Sequence, residues 1–111
     1  MPVIRYYRTN SGREPVREYI NSLPCDDQAS IFGDLEIIET STVTDSRVVT
    51  RKLLGYKGLW EIKTGRRHQQ RIFYCVVTDD GVYLLHACKK QKDSQPRDVK
   101  IAAKRQREIE S

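Results

Sequence analysis

Three stretches between Leu59 and Cys88 decide the fold: LWEIK at 59–63, QRIFYCVV at 70–77 and VYLLHAC at 82–88. Each is rich in β-branched and aromatic residues and alternates with the period of a β-strand. The segments between them, Gly65-Arg66-Arg67 and Asp79-Asp80-Gly81, contain turn-forming residues. The pattern therefore predicts a three-stranded antiparallel meander.

The same alternation sorts the strand side chains into two faces. The face predicted to be apolar and to pack on helices consists of Trp60, Ile62, Ile72, Tyr74, Val76, Tyr83, Leu85 and Ala87. The opposite face is predicted to be cationic, and it gathers Glu61, Lys63, Arg71 and His86, with Lys89 and Lys90 at the end of the last strand. A one-residue bulge would reverse part of this assignment.

The first half of the chain predicts a short strand and a helical hairpin. The strand is VIRYYR at 3–8, and the first helix lies between Pro15 and Pro24. Its apolar residues recur at helical spacing and are Val16, Tyr19, Ile20 and Leu23. The second helix begins after Pro24 and continues to the polar cluster at 40–42, with a repeat formed by Phe32, Leu35, Ile38 and Glu39.

A last helix is predicted near the C-terminus. Ser94 is a suitable N-cap, and Pro96 falls in the first turn. One helical face is marked by Val99, Ala102, Ala103, Gln106 and Ile109. The predicted fold is thus a single α+β domain over residues 1–111 in the order β-α-α-β-β-β-α, with the helices on one side of a small antiparallel sheet.

Charge is distributed unevenly along the 111 residues. Residues 1–50 contain five Lys/Arg and eight Asp/Glu, whereas residues 51–111 contain fifteen and seven. A basic second half is typical of a face that binds nucleic acid or an acidic partner.

Composition excludes several other classes. A chain with 38% hydrophobic and 32% charged residues, with no long apolar run and no secretory signal, is expected in the cytoplasm and not in a membrane. Cys25, Cys75 and Cys88 are odd in number without Cys-x-x-Cys spacing, and His68 and His86 are far apart. This spacing argues against a disulfide framework or a zinc site, so no metal and no cofactor are expected.

The residues of the cationic face also have simpler explanations. Glu61 and Lys63 would form an exposed ion pair worth about 0–1 kcal/mol, and His86 would be a packed histidine among Leu84, Leu85 and Cys88. Arg71 is harder to explain in this way, because an unpaired guanidinium is costly to bury on a central strand.

The sequence resembles a known family at several intervals. The matching motifs are KLL at 52–54, GLWEIK at 58–63, RIFY at 71–74, LLH at 84–86 followed by Lys89-Lys90, and a closing helix from Pro96 through Ala102-Ala103. Together they resemble the phage-derived, HigB-like branch of the RelE/ParE toxins over roughly residues 3–109. Cys88 departs from that pattern, since the family usually has an aromatic residue there.

The resemblance implies a fold, an activity and partners. The implied fold is two N-terminal helices against an antiparallel sheet with a C-terminal helix. The implied activity is that of a type II toxin, a ribosome-dependent mRNA endonuclease in which a 2′-hydroxyl attacks its own 3′-phosphate without a metal. The implied partners are the ribosome, mRNA and a helix-turn-helix, HigA-like antitoxin.

Roles for individual residues follow from the chemistry of that reaction. Arg71 is the candidate phosphate clamp, because its planar donor fork suits phosphate oxygens. Lys63 and Lys90 add positive charge, and the general base and acid are left open between a lysine, His86 and Glu61. The residues expected to bind the RNA backbone are Lys52, Lys57, Arg66, Arg67, Lys89 and Lys92.

Two other functions fit the same sequence. A ParE-like protein would inhibit DNA gyrase without catalysis, and an inactive module would only bind an antitoxin or nucleic acid. The basic set Lys63, Arg71 and Lys90 favours the nuclease over the gyrase inhibitor, whereas the sequence leaves the inactive module open.

Overall fold

The computed structural model describes residues 2–77, 81–91 and 95–110. Its strands are β1 (Ile4–Tyr6), β2 (Val49–Lys52), β3 (Trp60–Thr64), β4 (Gln70–Val77) and β5 (Gly81–Lys89), and its helices are α1 (Pro15–Asn21), α2 (Cys25–Thr40) and α3 (Pro96–Glu110). The strands form one sheet in the order β1-β5-β4-β3-β2. The α+β class and the β3-β4-β5 meander predicted from sequence are confirmed.

Two features of the sheet differ from the prediction. Strand β1 pairs with β5 in parallel, so the sheet is mixed and not antiparallel. Strand β2 pairs with β3 but was not predicted. Its sequence, VTRK, is mostly exposed and lacks the apolar alternation that reveals a strand.

Helices cover both faces of the sheet, which corrects the prediction that they lie on one side. The α1–α2 hairpin packs on a core that includes Ile62, Ile72 and Tyr74. Helix α3 packs on the opposite face through Ala102 and Ala103. Strand β4 is accordingly buried continuously from Gln70 to Cys75, as expected for a strand that is covered on both sides.

A bulge in the β4–β5 pairing changes which β5 residues face the hairpin. Phe73 is paired with His86 and Tyr74 with Leu84, so Leu85 is the extra residue. Leu84 therefore packs in the hairpin core, while Tyr83 and Leu85 pack on the α3 side. The predicted placement of Tyr83 and Leu85 was wrong, because the alternation of side chains does not reveal where a bulge inserts an extra residue.

The helices begin and end close to their predicted limits. In α2 the buried residues are Ile31, Leu35 and Ile38, whereas Phe32 is 42% exposed although the predicted repeat included it. In α3 the predicted face is confirmed. The proposed cap Ser94 and the turn residues Asp79 and Asp80 lie outside the described residues. No helix within the described ranges has the length and apolar character of a membrane span.

Candidate functional site

Strand register places four of the predicted catalytic residues in two adjacent rows on the α3 face. Lys63 lies opposite Arg71, and Arg71 lies opposite Cys88. In the next row Glu61 lies opposite Phe73, and Phe73 lies opposite His86. The convergence of Glu61, Lys63, Arg71 and His86 on one face is therefore what the sequence predicted.

The polar residues of this face are more deeply buried than the sequence suggested. Glu61 is 3% exposed and Arg71 is 7% exposed. Glu61 forms an ion pair with Arg51 of β2 at 2.9 Å. Arg51 was missed by the sequence analysis because its strand was missed. The carboxylate is thus neutralised across the β2–β3 pair and not by Lys63.

Arg71 is bound to the turn that follows β3. Its Nη1 donates to the carbonyl oxygens of His68 at 2.6 Å and Gln70 at 3.1 Å. That turn is a short 3₁₀ segment, Arg66–His68, in which Arg67 and His68 have φ values of 54° and 53°. Non-glycine residues rarely adopt this conformation. The guanidinium therefore supports a strained turn that projects two exposed basic residues.

His86 is held between the sheet and helix α3. Its Nε2 lies 2.7 Å from Oδ1 of Asp98, its Nδ1 lies 3.4 Å from Nη1 of Arg105, and its ring stacks on Phe73. Arg105 also donates to the Leu85 carbonyl oxygen at 2.9 Å. These contacts make His86 part of the α3 docking surface, so its imidazole is largely covered, with 16% of the side chain exposed.

The carboxylate of Asp98 is stabilised in its charged form. Burial acts to raise the pKa of Asp98, but hydrogen bonds from His86 and Gln95 outweigh it and hold that pKa below its ordinary value. A carboxyl with a depressed folded-state pKa stabilises the fold above its unfolded pKa, and this contribution is lost as the pH falls through the lower value. Burial, assisted by the nearby Asp98 charge, raises the pKa of the Cys88 thiol to about 12.

Most of the predicted basic residues gather at one end of the sheet, which we call the basic end. It is defined by Lys63, Arg66, Arg67, Arg71, Lys89 and Lys90. The main chain closes this end, because the Lys90 N–H donates to the Gln69 carbonyl oxygen at 2.7 Å. Among the described residues, Lys63, Lys89 and Lys90 form no ion pair. Within that part of the chain the charge of these three lysines is therefore left without an ion-pair partner, whereas Arg66 pairs with Asp26 at 3.6 Å.

The structure separates the other predicted RNA-binding residues from this end. Lys52 lies opposite Trp60, at the far end of the β2–β3 pair. Lys57 lies in the loop between these strands, where its carbonyl oxygen accepts a 2.9 Å hydrogen bond from Gln106. Lys92 lies outside the described residues. The predicted set is thus two separate groups, of which the basic end is the larger.

A cleft beside the basic end includes residues that the sequence did not identify. It is lined by Tyr19, Leu23, Pro24, Asp27, Arg66, Arg67, Gln69, Gln70 and Lys89. The Tyr19 hydroxyl donates to Oε1 of Gln70 at 2.5 Å, and Asp27 accepts from the Arg66 N–H at 3.0 Å. Helical spacing identifies Tyr19 only as a core residue of its helix, and no local sequence signal places it beside the turn arginines.

This arrangement defines a class: a small α+β protein whose sheet ends in a basic surface suited to polyanions. The family model described as Phage derived protein Gp49-like (DUF891) matches residues 18–108. The chain therefore belongs to this phage-derived family, which lies in the RelE/toxin-like group. Its toxin-like character suggests an antitoxin partner. No curated protein matches the chain.

Proposed function

We propose that the chain is the toxin of a type II toxin–antitoxin pair and a HigB-like, ribosome-dependent mRNA endonuclease. The observation that carries the proposal is the basic end, where the ends of β3 and β5, the start of β4 and the 3₁₀ turn place six cationic residues at one end of the sheet. Family membership supports the same conclusion, because the Gp49-like family is toxin-related.

The proposed reaction is attack of an RNA 2′-hydroxyl on the adjacent 3′-phosphate. It forms a 2′,3′-cyclic phosphate and releases a 5′-hydroxyl, so the enzyme must move two protons and stabilise added charge on the phosphate. Lys63, Arg71 and Lys90 supply that positive charge in our proposal. This scheme assigns the chemistry to side chains and uses no metal ion.

Glu61 and His86 are the other candidates for the general acid and base, and their present contacts affect whether they can transfer a proton. Glu61 is bound to Arg51, and His86 is bound to Asp98. Either group must exchange that partner before it can reach a nucleotide. Within the described ranges Lys63 and Lys90 have no ion pair to exchange, so we favour one of them as the general base, with the other lysine and Arg71 supplying the positive charge.

The proposed dependence on the ribosome follows from what the surface lacks. The basic end offers charge and hydrogen-bond donors, but charge alone does not hold a nucleotide in line for attack. We infer that the decoding site orients the messenger, while Arg66, Arg67 and Lys89 bind RNA backbone. A helix-turn-helix, HigA-like antitoxin would then silence the toxin by covering or distorting this surface.

Expression of the chain alone is expected to arrest growth and translation, and co-expression of the adjacent antitoxin gene to restore both. Translated messenger is expected to be cut well and naked RNA poorly. Pulse labelling of protein synthesis and mapping of messenger ends in the same culture measure the two effects. Normal growth with verified expression of folded protein would contradict the toxin assignment.

A catalytically inactive binding module is the second candidate, and one observation favours it. The burial of Glu61 and Arg71 under helix α3 leaves few groups of the predicted catalytic face exposed. Such a module would bind antitoxin or RNA and leave messenger intact. A gyrase supercoiling assay distinguishes the ParE-like alternative from the proposed nuclease, because the nuclease should not inhibit gyrase.

The turn arginines give a prediction about binding. The double variant Arg66→Ala/Arg67→Ala is expected to bind the ribosome more weakly than the wild type. Its affinity should increase again at low salt. Each lost phosphate contact should reduce the slope of log K against log salt by about 0.7 to 0.9. Lys52→Ala, at the opposite end of the sheet, is the matched control and should change the slope less. If the wild type, the double variant and Lys52→Ala had equal slopes of log K against log salt, the turn would not be part of the RNA interface.

A further inference from the structure

Three potential metal ligands lie together where strand β5 meets helix α3. His86 and Cys88 are two residues apart on β5 and share a face. Asp98 lies in the first turn of α3, which packs over that face. The donor atoms of the three side chains all lie within 4.8 Å of one another. Among the described residues, these three are the histidine, cysteine and acidic side chains that lie close enough together to bind one metal ion.

We propose that His86, Cys88 and Asp98 bind a divalent transition-metal ion of the zinc class. A thiolate, an imidazole and a carboxylate are the ligand types that Zn²⁺ accepts, at about 2.3, 2.0–2.1 and 2.0–2.2 Å respectively. Tetrahedral ligands at those lengths lie about 3.4–3.6 Å apart. Side-chain movements on the order of 1 Å would bring the present cluster to that geometry and leave a fourth position for water.

Gln95 provides the outer support that such a site needs. Its Nε2 lies 3.0 Å from Sγ of Cys88, 3.2 Å from Oδ2 of Asp98 and 3.3 Å from the Lys89 carbonyl oxygen. The amide nitrogen is therefore within hydrogen-bond reach of two of the three ligands and of a β5 carbonyl oxygen, and these three acceptors share its two N–H donors. Hydrogen bonds of this kind orient metal ligands and strengthen binding.

The cluster is enclosed but reachable from solvent. The side chains of His86 and Asp98 are 16% and 22% exposed. Arg105 contacts the cluster, and its 2.9 Å bond to the Leu85 carbonyl oxygen is shorter than its 3.4 Å approach to His86 Nδ1. When Nε2 binds the ion, Nδ1 carries the ring proton and Arg105 keeps its carbonyl contact. The thiol proton of Cys88 passes to the buffer on binding.

This proposal replaces the expectation that the chain has no metal site. That expectation rested on the sequence separation of His68 and His86 and on the absence of Cys-x-x-Cys spacing. The structure instead joins a His-x-Cys pair on a strand to a carboxylate from a later helix. The ion would fasten α3 to β5, and the site does not depend on the proposed nuclease activity.

The test titrates the full-length, chelator-treated protein with Co²⁺ alone, followed by Zn²⁺. We expect one equivalent of Co²⁺ to give a thiolate charge-transfer band and intense d–d bands of tetrahedral coordination, both removed by Zn²⁺. Cys88→Ser should abolish the charge-transfer band, and Asp98→Asn should weaken Co²⁺ binding by at least about tenfold. At a hundredfold excess over the dissociation constant, Zn²⁺ should raise the melting temperature by about 10–12 °C.

The chain offers a matched control for this experiment. Cys25 is exposed and free, and His68 lies in the exposed 3₁₀ turn. The double variant Cys25→Ser/His68→Ala removes these alternative ligands and should bind Co²⁺ as the wild type does. Loss of the cobalt spectrum in this control, an unchanged spectrum in Cys88→Ser, or no cobalt spectrum in the wild type would each overturn the proposal. Circular dichroism of the metal-free variants confirms that they are folded.

Discussion

Arg71→Ala is expected to reduce cleavage of translated messenger by about 100- to 1000-fold, the usual effect of removing a donor that stabilises transition-state charge. Arg71 lies on β4 at the basic end, where it is paired with Lys63 of β3 and Cys88 of β5. Its Nη1 holds the 3₁₀ turn through two carbonyl oxygens. In our proposal the same group also contacts the scissile phosphate.

Arg71→Lys separates these two roles. A lysine keeps the charge and a donor for the turn carbonyls, so the fold should be retained. It cannot reproduce the two-pronged contact of a guanidinium with phosphate, so activity should recover little. End-point mapping of messenger in a purified translation system measures the rate, and a thermal melt with antitoxin binding measures the fold.

The results are interpreted by comparing the two variants. An active, folded Arg71→Ala protein would remove Arg71 from the catalytic machinery. If Arg71→Ala unfolds while Arg71→Lys is folded and fully active, the residue supports the turn only. Alanine also loses two hydrogen bonds to buried or partly buried acceptors, each worth about 1 kcal/mol. Activity must therefore be normalised to the folded fraction.

The meander and the helices were predictable from sequence because their signals are local. Strand alternation, proline positions and helical spacing each depend on a few neighbouring residues. The parallel pairing of β1 with β5 joins residues such as Ile4 and Val82, which are distant in sequence. Strand β2 has no apolar pattern, and its existence depends on pairing with β3. These elements require tertiary information.

The candidate site also combines features that local sequence signals predict with features that depend on tertiary structure. Alternation correctly placed Lys63, Arg71 and His86 on one face, because β3 and β4 are regular and the bulge lies at Leu85. Alternation could not show that α3 covers this face. Asp98 was missed for that reason, because its helix was assigned to the opposite side, whereas Arg51 was missed because strand β2 was not predicted.

Gly81→Ala is expected to cause the largest loss of stability of the substitutions considered. Gly81 begins β5 with a φ of 98°, and a Cβ there would lie 2.2 Å from the Val3 carbonyl oxygen and 2.9 Å from the Val3 nitrogen. Both atoms belong to the main chain beside β1, so no side-chain rotation relieves the contact. That carbonyl accepts the Val82 N–H at 2.8 Å. The substitution should therefore separate β1 from β5.

Gly12→Ala is the matched control, because Gly12 has a similar φ of 88° but no atom within 4 Å of the added Cβ. Backbone strain alone costs about 1–3 kcal/mol at either position. Gly81→Ala adds displacement of an edge strand, and we expect it to cost at least about 2 kcal/mol more than Gly12→Ala. Domains of this size are stable by only about 5–15 kcal/mol, so the difference is measurable by urea unfolding. Equal costs would show that β1 does not press on Gly81, and the parallel pairing would then have to be rejected.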